Sequence, residues 1–363
     1  MTYVGVDLHK RTFTVCYRQS EEEQATAEFE NTKAGVSAFI ATLSYLDSLA
    51  VEAMSMSRPF IKAVRPHVRE VVHVNAARNE LISKSNKKTD AHDARMLAFG
   101  LEYGILPRAR FRSEAAQQLR NLVTTRFKLV MTRVSTMNFL HAVLARNGLS
   151  IPETKMRHEK WRSQIDTSVF GFGDDASWYI LNLQMLQLDK AINVLEKKIQ
   201  IAVEQFEGYK SLSPLPGFGP ITIATLLSYI DSIDDFPSSK KLCSYFGIVP
   251  RTRMSAGEPL PSKKFGRFRT GAITRTGDTQ ARTAITMAAN YAIAENESLR
   301  AFYDRIKGRK GYRKARTATA RKLLGLVFYL LKYRCTVRNF RLINFSQAYE
   351  IQPYVCPKLP DLH

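Results

Sequence analysis

The sequence predicts an α/β domain at the N-terminal end, two long helices after it, and a mostly α-helical C-terminal region. Three patterns carry this expectation. Short β-rich runs alternate with helix-like stretches up to about residue 105. Two later segments place apolar residues in alternating steps of three and four. The remainder strings apolar helical stretches between turns containing Gly and Pro.

The chain opens on Tyr3-Val4-Gly5-Val6-Asp7-Leu8-His9-Lys10, a short buried strand that delivers Asp7 to its polar end. Thr12–Tyr17 follows closely enough to pair with it as a hairpin, and a third strand is expected near Ala25–Glu30. Next come a helix from about Lys33 to Leu46, a strand ending at Glu52, a helix starting near Pro59 and the β-branched run Glu70–Val74. A further helix opens at Asp90 and runs to about Tyr103. Three strands in meander, then strand–helix alternation, is the pattern of a ribonuclease-H-like domain.

A carboxylate on a first central strand is costly to desolvate unless something positive sits beside it. A divalent ion bound by several convergent carboxylates is a common answer. Glu52 ends a strand, and Asp90 and Asp93 stand three residues apart, on one face of a helix. Each acid alone reads as a helix cap or a solvated charge. The four together, Asp7, Glu52, Asp90 and Asp93, read as a metal site.

The two periodic segments follow. Val123, Phe127, Val130, Val134, Met137, His141 and Leu144 form one seam. Leu181, Met185, Leu188, Ile192, Leu195, Ile199, Ala202 and Phe206 form the other. Such heptads predict an antiparallel coiled-coil pair, each helix about 45–50 Å long, serving as bundle core, rigid spacer or dimerisation arm. Residues 148–175 read as a polar, irregular connection, with Gly171–Asp175 as a turn.

Leu215-Pro216-Gly217-Phe218-Gly219-Pro220 then opens an apolar helix, Ile221 to Ile230. It reads either as a helix–hairpin–helix turn with N–H groups facing phosphate or as a plain domain boundary. A helix carrying Leu242, Tyr245 and Phe246 precedes the loop Arg251-Thr252-Arg253-Met254-Ser255-Ala256-Gly257. Two arginines, a serine and a glycine suit chemistry on a phosphate, since guanidinium groups bind phosphoryl oxygens in pairs and glycine allows close approach. A serine needs a base or a metal ion to become a nucleophile. On spacing alone Ser255 is an ordinary loop serine. A helix is expected from Thr274 through Thr283, Ile285 and Ala288. Tyr303, Tyr312 and Tyr333 are candidates for stacking on bases, whereas Phe328 and Tyr329 sit in an apolar helix and read as core.

The formal net charge is +21. Between Arg300 and Arg338 there are thirteen basic residues and one acid, Asp304; between Arg251 and Arg275 there are seven and one, Glu258. Such clusters point to a polyanion, nucleic acid before membrane. Arg251, Arg253, Lys263, Lys264, Arg267, Arg269, Arg275, Arg309, Lys310, Arg313 and Lys314 are the nucleic-acid-binding candidates. There is no run of eighteen apolar residues and no charged-then-apolar leader, so a soluble, unsecreted protein is expected. Cys16, Cys243, Cys335 and Cys356 lack disulfide or metal spacing and fit a reducing cytoplasm.

These motifs, in this order, resemble the DEDD transposases of the insertion-sequence-110 family, relatives of the pilin-gene invertases. "VGVDLHK" carries Asp7, the acid closing the fourth strand is Glu52, and "KKTDAHDARMLA" carries Asp90 and Asp93. "LPGFGPITIATLL", "LCSYFGIVPR" and "MSAG" before "ITRTGDTQAR" reproduce the order of the family's C-terminal domain. The resemblance implies a RuvC-like domain over residues 1–105, a coiled-coil domain over 106–210, a transposase domain over 211–340 and a tail over 341–363. It also implies a recombinase that cleaves and rejoins DNA with Mg²⁺ (or Mn²⁺) on the four acids and Ser255 as nucleophile. Two departures stand out: Ser255-Ala256-Gly257 replaces the usual serine-glycine-glycine, and about nine extra residues separate it from "ITRTG". The implied partners are donor and target DNA, a structured non-coding bridge RNA as guide, and further copies of the chain as a dimer or tetramer. The implied setting is a prokaryotic cytoplasm, at the nucleoid. The alternatives are a Mg²⁺-dependent junction resolvase, an invertase without an RNA guide, and a non-catalytic nucleic-acid-binding protein.

Overall fold

The computed structural model describes residues 1–54, 56–76, 79, 89–251, 254–255, 258–259 and 272–345. The chain divides into two compact units, Met1–Phe111 and Arg112–His363.

The first unit is built on a five-stranded sheet. Its strands are β1 (Tyr3–Leu8), β2 (Thr12–Arg18), β3 (Gln24–Glu30), β4 (Ser48–Glu52) and β5 (Glu70–Val74), in the order β3-β2-β1-β4-β5. The β1–β2 and β2–β3 pairs are antiparallel; β1–β4 and β4–β5 are parallel. This mixed sheet is compatible with the ribonuclease-H-like expectation. Three helices accompany it: α1 (Lys33–Ile40), α2 (Ser57–Val64) and α3 (Asp90–Glu102). Helix α1 stops six residues short of Leu46, because Asp47 accepts hydrogen bonds from the backbone N–H of Ser44 and of Thr2 and folds the chain into a turn.

Alternation along β1 sorts its residues between two faces. Val4, Val6 and Leu8 join Phe13, Val15, Phe39 and Phe60 in a core on one side. Tyr3, Gly5 and Asp7 therefore face the other way. There Gly5, its cross-strand neighbours Cys16 and Ala50, and Ala94 and Ala98 of α3 form a surface of small residues. A Cβ on Gly5 would stand 2.1 Å from the Ala94 carbonyl oxygen and 2.5 Å from the Ala98 nitrogen. The glycine is therefore what lets α3 lie directly on β1. Arg18 Nε donates to Glu102 Oε2 at 2.6 Å and ties the far end of the helix to β2.

In the second unit, α4 (Glu114–Arg146) and α5 (Phe172–Glu204) are each 33 residues long and pack side by side. Arg126 pairs with Glu196, Arg133 with Asp189 and Arg146 with Asp174, so the helices run antiparallel. The predicted seam is uneven. Val123, Met137, Leu144, Met185, Leu188, Ile192 and Ile199 are buried, but Val134 is exposed. Beside it, the Arg126 and Arg133 ion pairs cross the middle of the pair. The connection is not irregular throughout: helical turns Glu153–Met156 and Glu159–Arg162 fold over the tip, and α5 already begins at Phe172, where a turn was expected. Met156, buried with Leu140, Leu144 and Trp178, supplies the apolar reason.

The base of this hairpin merges into a larger core. Helix α6 (Pro220–Ile230) is buried at every position from Ile223 to Ile230, as suits a helix apolar on all sides. Around it lie Leu119, Val123, Ile199 and Val203 of the hairpin, with α7 (Ser239–Tyr245), α8 (Thr279–Glu295), α9 (Glu297–Lys310) and α10 (Tyr312–Lys332). Phe328 belongs to this core. Tyr303 is buried too and is not free to stack on a base, whereas Tyr312 and Tyr333 are exposed.

Candidate active site

The parallel pairing of β1 with β4 sets Val6 beside Val51, so Asp7 and Glu52 follow side by side where the two strands end. Helix α3 starts above them. Its cap is Thr89, whose Oγ1 accepts from the His92 N–H at 3.2 Å, and Asp90 and Asp93 occupy the first turn. Acids are stabilised there by the helix dipole. Asp7 and Asp90 come together in one group, while Glu52 and Asp93 stand near enough to act on it electrostatically without joining it.

Their electrostatics agree with that arrangement. Burial is the main cause that raises the Asp7 pKa; His9 works against it, and Asp90 and Asp93 add to it. Burial also raises Glu52, with Asp7 and Asp93 contributing. Asn79, itself buried, lies close enough to favour the ionised Glu52, though short of ordinary hydrogen-bond geometry. Mutual repulsion among carboxylates at one place is what a bound cation relieves. The donor set of clustered hard oxygen ligands fits a divalent ion.

His9 stands in the strand-end motif that carries Asp7, where the sequence alone assigns it no role. Its Nε2 lies 3.0 Å from Asp7 Oδ2 and 3.3 Å from Asp90 Oδ2. Asp7, His9 and Asp90 form the one group of three potential metal ligands found among the described residues. Burial opposes the imidazolium, but the two carboxylates outweigh it and raise its pKa. Asn79 beside Glu52 is a second residue of the site that the sequence does not single out. A histidine two residues past a strand-end acid was a legible signal; nothing near Asn79 was.

The serine lies in the second unit. The chain enters and leaves that loop through a paired stem: Arg251 N–H donates to Ala272 O at 2.9 Å, Thr274 N–H to Val249 O at 2.9 Å, and Arg275 N–H to Gly247 O at 3.1 Å. Residues 274–277 therefore belong to the stem, and the helix expected from Thr274 begins only at Thr279, capped by Asp278. Met254–Ser255 pairs antiparallel with Glu258–Pro259. Arg253, Lys263, Lys264, Arg267 and Arg269 lie outside the described residues.

Arg251 and Arg275 are exposed on the stem, and the Arg251 Nη2 donates to Thr274 O at 3.0 Å. Arg275 has a positive φ of 57°, uncommon for a side chain of its size. Arg309 and Lys310 end α9, Arg313 and Lys314 open α10, and all four are exposed around Gly311. Cations in a first helical turn oppose the dipole, so the second pair has no reason to be there in local helix stability.

No helix among the described residues is long and apolar enough to cross a membrane. Comparison with known proteins gives the lineage. A DEDD transposase model of the IS110 type matches residues 4–147, and the model of the transposase IS116/IS110/IS902 family matches residues 209–304. The chain is similar to the transposase for insertion sequence element IS1111A of Coxiella burnetii: 23% identical over 261 residues, 69% of this chain and 70% of that protein. It is 21% identical to a "Probable family 20 transposase" of Pseudomonas aeruginosa over 304 residues, 81% of this chain and 84% of the relative. It is also 28% identical to the insertion element IS110 43.6 kDa protein of Streptomyces coelicolor over 143 residues, 38% of this chain and 32% of that one. With the first model covering the sheet and acids, and the second covering the core helices and serine loop, the chain belongs to the IS110 family of transposases.

Proposed function

We propose that this protein cuts and rejoins DNA strands for a mobile element, with a RuvC-like acidic site in one unit and Ser255 in the other. The observation that supports the reading is Asp7 beside Asp90, with burial first raising the pKa of Asp7 and of Glu52, then Asp90 and Asp93 adding to Asp7, and Asp7 and Asp93 to Glu52. Asp7, Glu52, Asp90 and Asp93 would hold Mg²⁺ or Mn²⁺. When bound, such an ion neutralises charge on the scissile phosphate and the leaving oxygen.

Ser255 Oγ attacks the phosphorus in line; the Oγ–P bond forms as the bond to the leaving oxygen breaks, the Oγ proton ends on that oxygen as a free strand-end hydroxyl, and the phosphoserine keeps the bond energy for rejoining. Arg251 and Arg253 bind the phosphoryl oxygens and offset their charge. Lys263, Lys264, Arg267, Arg269, Arg275, Arg309, Lys310, Arg313 and Lys314 contact backbone phosphates of donor DNA, target DNA and a structured guide RNA of the bridge type. One complete site combines the acids of one copy with the serine of another in a dimer or tetramer. The long hairpin acts as the coiled-coil spacer of that assembly. A bacterial cytoplasm, at the nucleoid, is where its substrates are.

The test is recovery of covalent protein–DNA adducts. Wild type should yield a denaturant-resistant adduct and Ser255→Ala none. Equal recovery from the two removes serine attack. Cleaved, unligated products without an adduct would instead favour a resolvase in which the acids activate water.

A further inference from the structure

Resting on the reading of the acids as an ion site, we infer that His9 is a nitrogen ligand of that ion and tilts the site from Mg²⁺ toward transition-metal ions. The geometry carries the assignment. His9 Nε2 stands 3.0 Å from Asp7 Oδ2 and 3.3 Å from Asp90 Oδ2, and one donor atom from each residue lies within 4.8 Å of the others. In the ion-free protein the 3.0 Å contact to Asp7 is a hydrogen bond, and an ion held by Asp7 and Asp90 would replace its proton at Nε2.

The imidazole is held there by its backbone. His9 N–H donates to Thr12 O at 2.9 Å, closing the turn between β1 and β2, and Asn31 Nδ2 donates to His9 O at 2.7 Å. These bonds bring the residue after Leu8 round to the acid face. Its side chain remains 44% exposed, so an ion can reach it from solvent. Mg²⁺ prefers oxygen ligands and retains water, whereas imidazole binds better to first-row transition ions, more so toward Co²⁺ along the Irving–Williams order. A site with three or four carboxylates and one imidazole therefore ranks Co²⁺ above Mn²⁺ above Mg²⁺.

The experiment uses the full chain stripped of metal. Calorimetric titration with Mg²⁺, Mn²⁺ and Co²⁺ is combined with pulsed electron paramagnetic resonance of the Mn²⁺-loaded protein. Wild type is expected to show ¹⁴N coupling to Mn²⁺; His9→Ala is expected to lose it and to bind Mn²⁺ and Co²⁺ about tenfold more weakly or worse, with Mg²⁺ changed by less than about threefold. His92→Ala should keep the coupling. Absent coupling in Mn²⁺-loaded wild type, coupling retained in His9→Ala, or an unchanged Mn²⁺-to-Mg²⁺ ratio overturns the inference, the ion site itself standing if Asp7→Asn abolishes binding. Failure of the wild type to bind any ion removes both.

Discussion

The backbone N–H of Asp278 donates to the Tyr229 hydroxyl at 2.9 Å, and that hydroxyl donates to the Tyr245 carbonyl at 3.0 Å. One buried phenol thus joins α6, α7 and the cap of α8, just where the stem of the serine loop ends. Arg120 reinforces the joint through Asp278 Oδ2 at 2.6 Å. Tyr229→Phe should lower the unfolding free energy by about 1–3 kcal/mol, since it strands a backbone donor and an acceptor. Urea denaturation checks it.

The same residue gives a pH dependence. Burial, then the neighbouring Tyr245, pushes the Tyr229 phenol up to about 12 from its ordinary 10.0. The folded value lies above the unfolded one, so the unfolded chain releases this proton first. The contribution is complete below pH 10.0 and is lost as pH climbs toward about 12. Wild type should therefore weaken more steeply across that window than Tyr229→Phe. Parallel curves for the two proteins would remove the assignment.

Gly5→Ala should damage fold and site together. The atoms its Cβ would meet, Ala94 O and Ala98 N, are backbone and cannot swing aside. Helix α3 must move off β1, at a cost of about 1–3 kcal/mol or more. Asp90 and Asp93 move with it, away from Asp7. Thermal unfolding and ion titration of the variant check both halves; intact ion affinity would separate the packing from the site.

The raised carboxyl groups predict how an ion acts on stability. Burial foremost lifts Asp7 and Glu52 above their ordinary 3.8 and 4.5. For a raised folded value, the contribution is complete below the unfolded pKa and is lost as pH rises through the folded one. The ion-free protein is accordingly strained by these acids at neutral pH and relieved of that strain in acid. Added Mg²⁺ or Mn²⁺ should raise the melting temperature more at about pH 7 than at about pH 4. Asp7→Asn should raise the ion-free melting temperature at neutral pH and abolish the ion-induced increment. Differential scanning calorimetry reads both.

Replacing Arg309, Lys310, Arg313 and Lys314 by Gln should weaken non-specific binding to duplex DNA and flatten its salt dependence. If each cation neutralises one phosphate, the slope of log K against log salt falls by about 3–4 in magnitude. Fluorescence anisotropy over a salt series measures it. An unchanged slope would assign the cluster to something other than phosphate.

Much of the first unit was legible because strand and helix periodicities are local. Tyr3–Leu8 and Thr12–Arg18 pair as the β-rich runs implied, and Asp7, Glu52, Asp90 and Asp93 stand at element ends. The errors came where a side chain competes with the backbone. Asp47 ends α1 early by accepting backbone N–H groups, and Asp278 delays α8 by capping it. Heptad spacing foretold the two 33-residue helices, but not that Val134 would be exposed and that Arg126 and Arg133 would form ion pairs across the pair.

The sequence by itself determined which groups carry charge, the order of the five strands and the two long helices, and that four acids stand at the ends of their elements. Only the tertiary structure decided that a side-chain-free Gly5 would bring α3 onto β1, that Asp90 would come within reach of His9, and that Tyr229 would brace the serine-loop stem. Those are contacts between residues distant in sequence. They follow from how closely backbones approach, which periodicity leaves open.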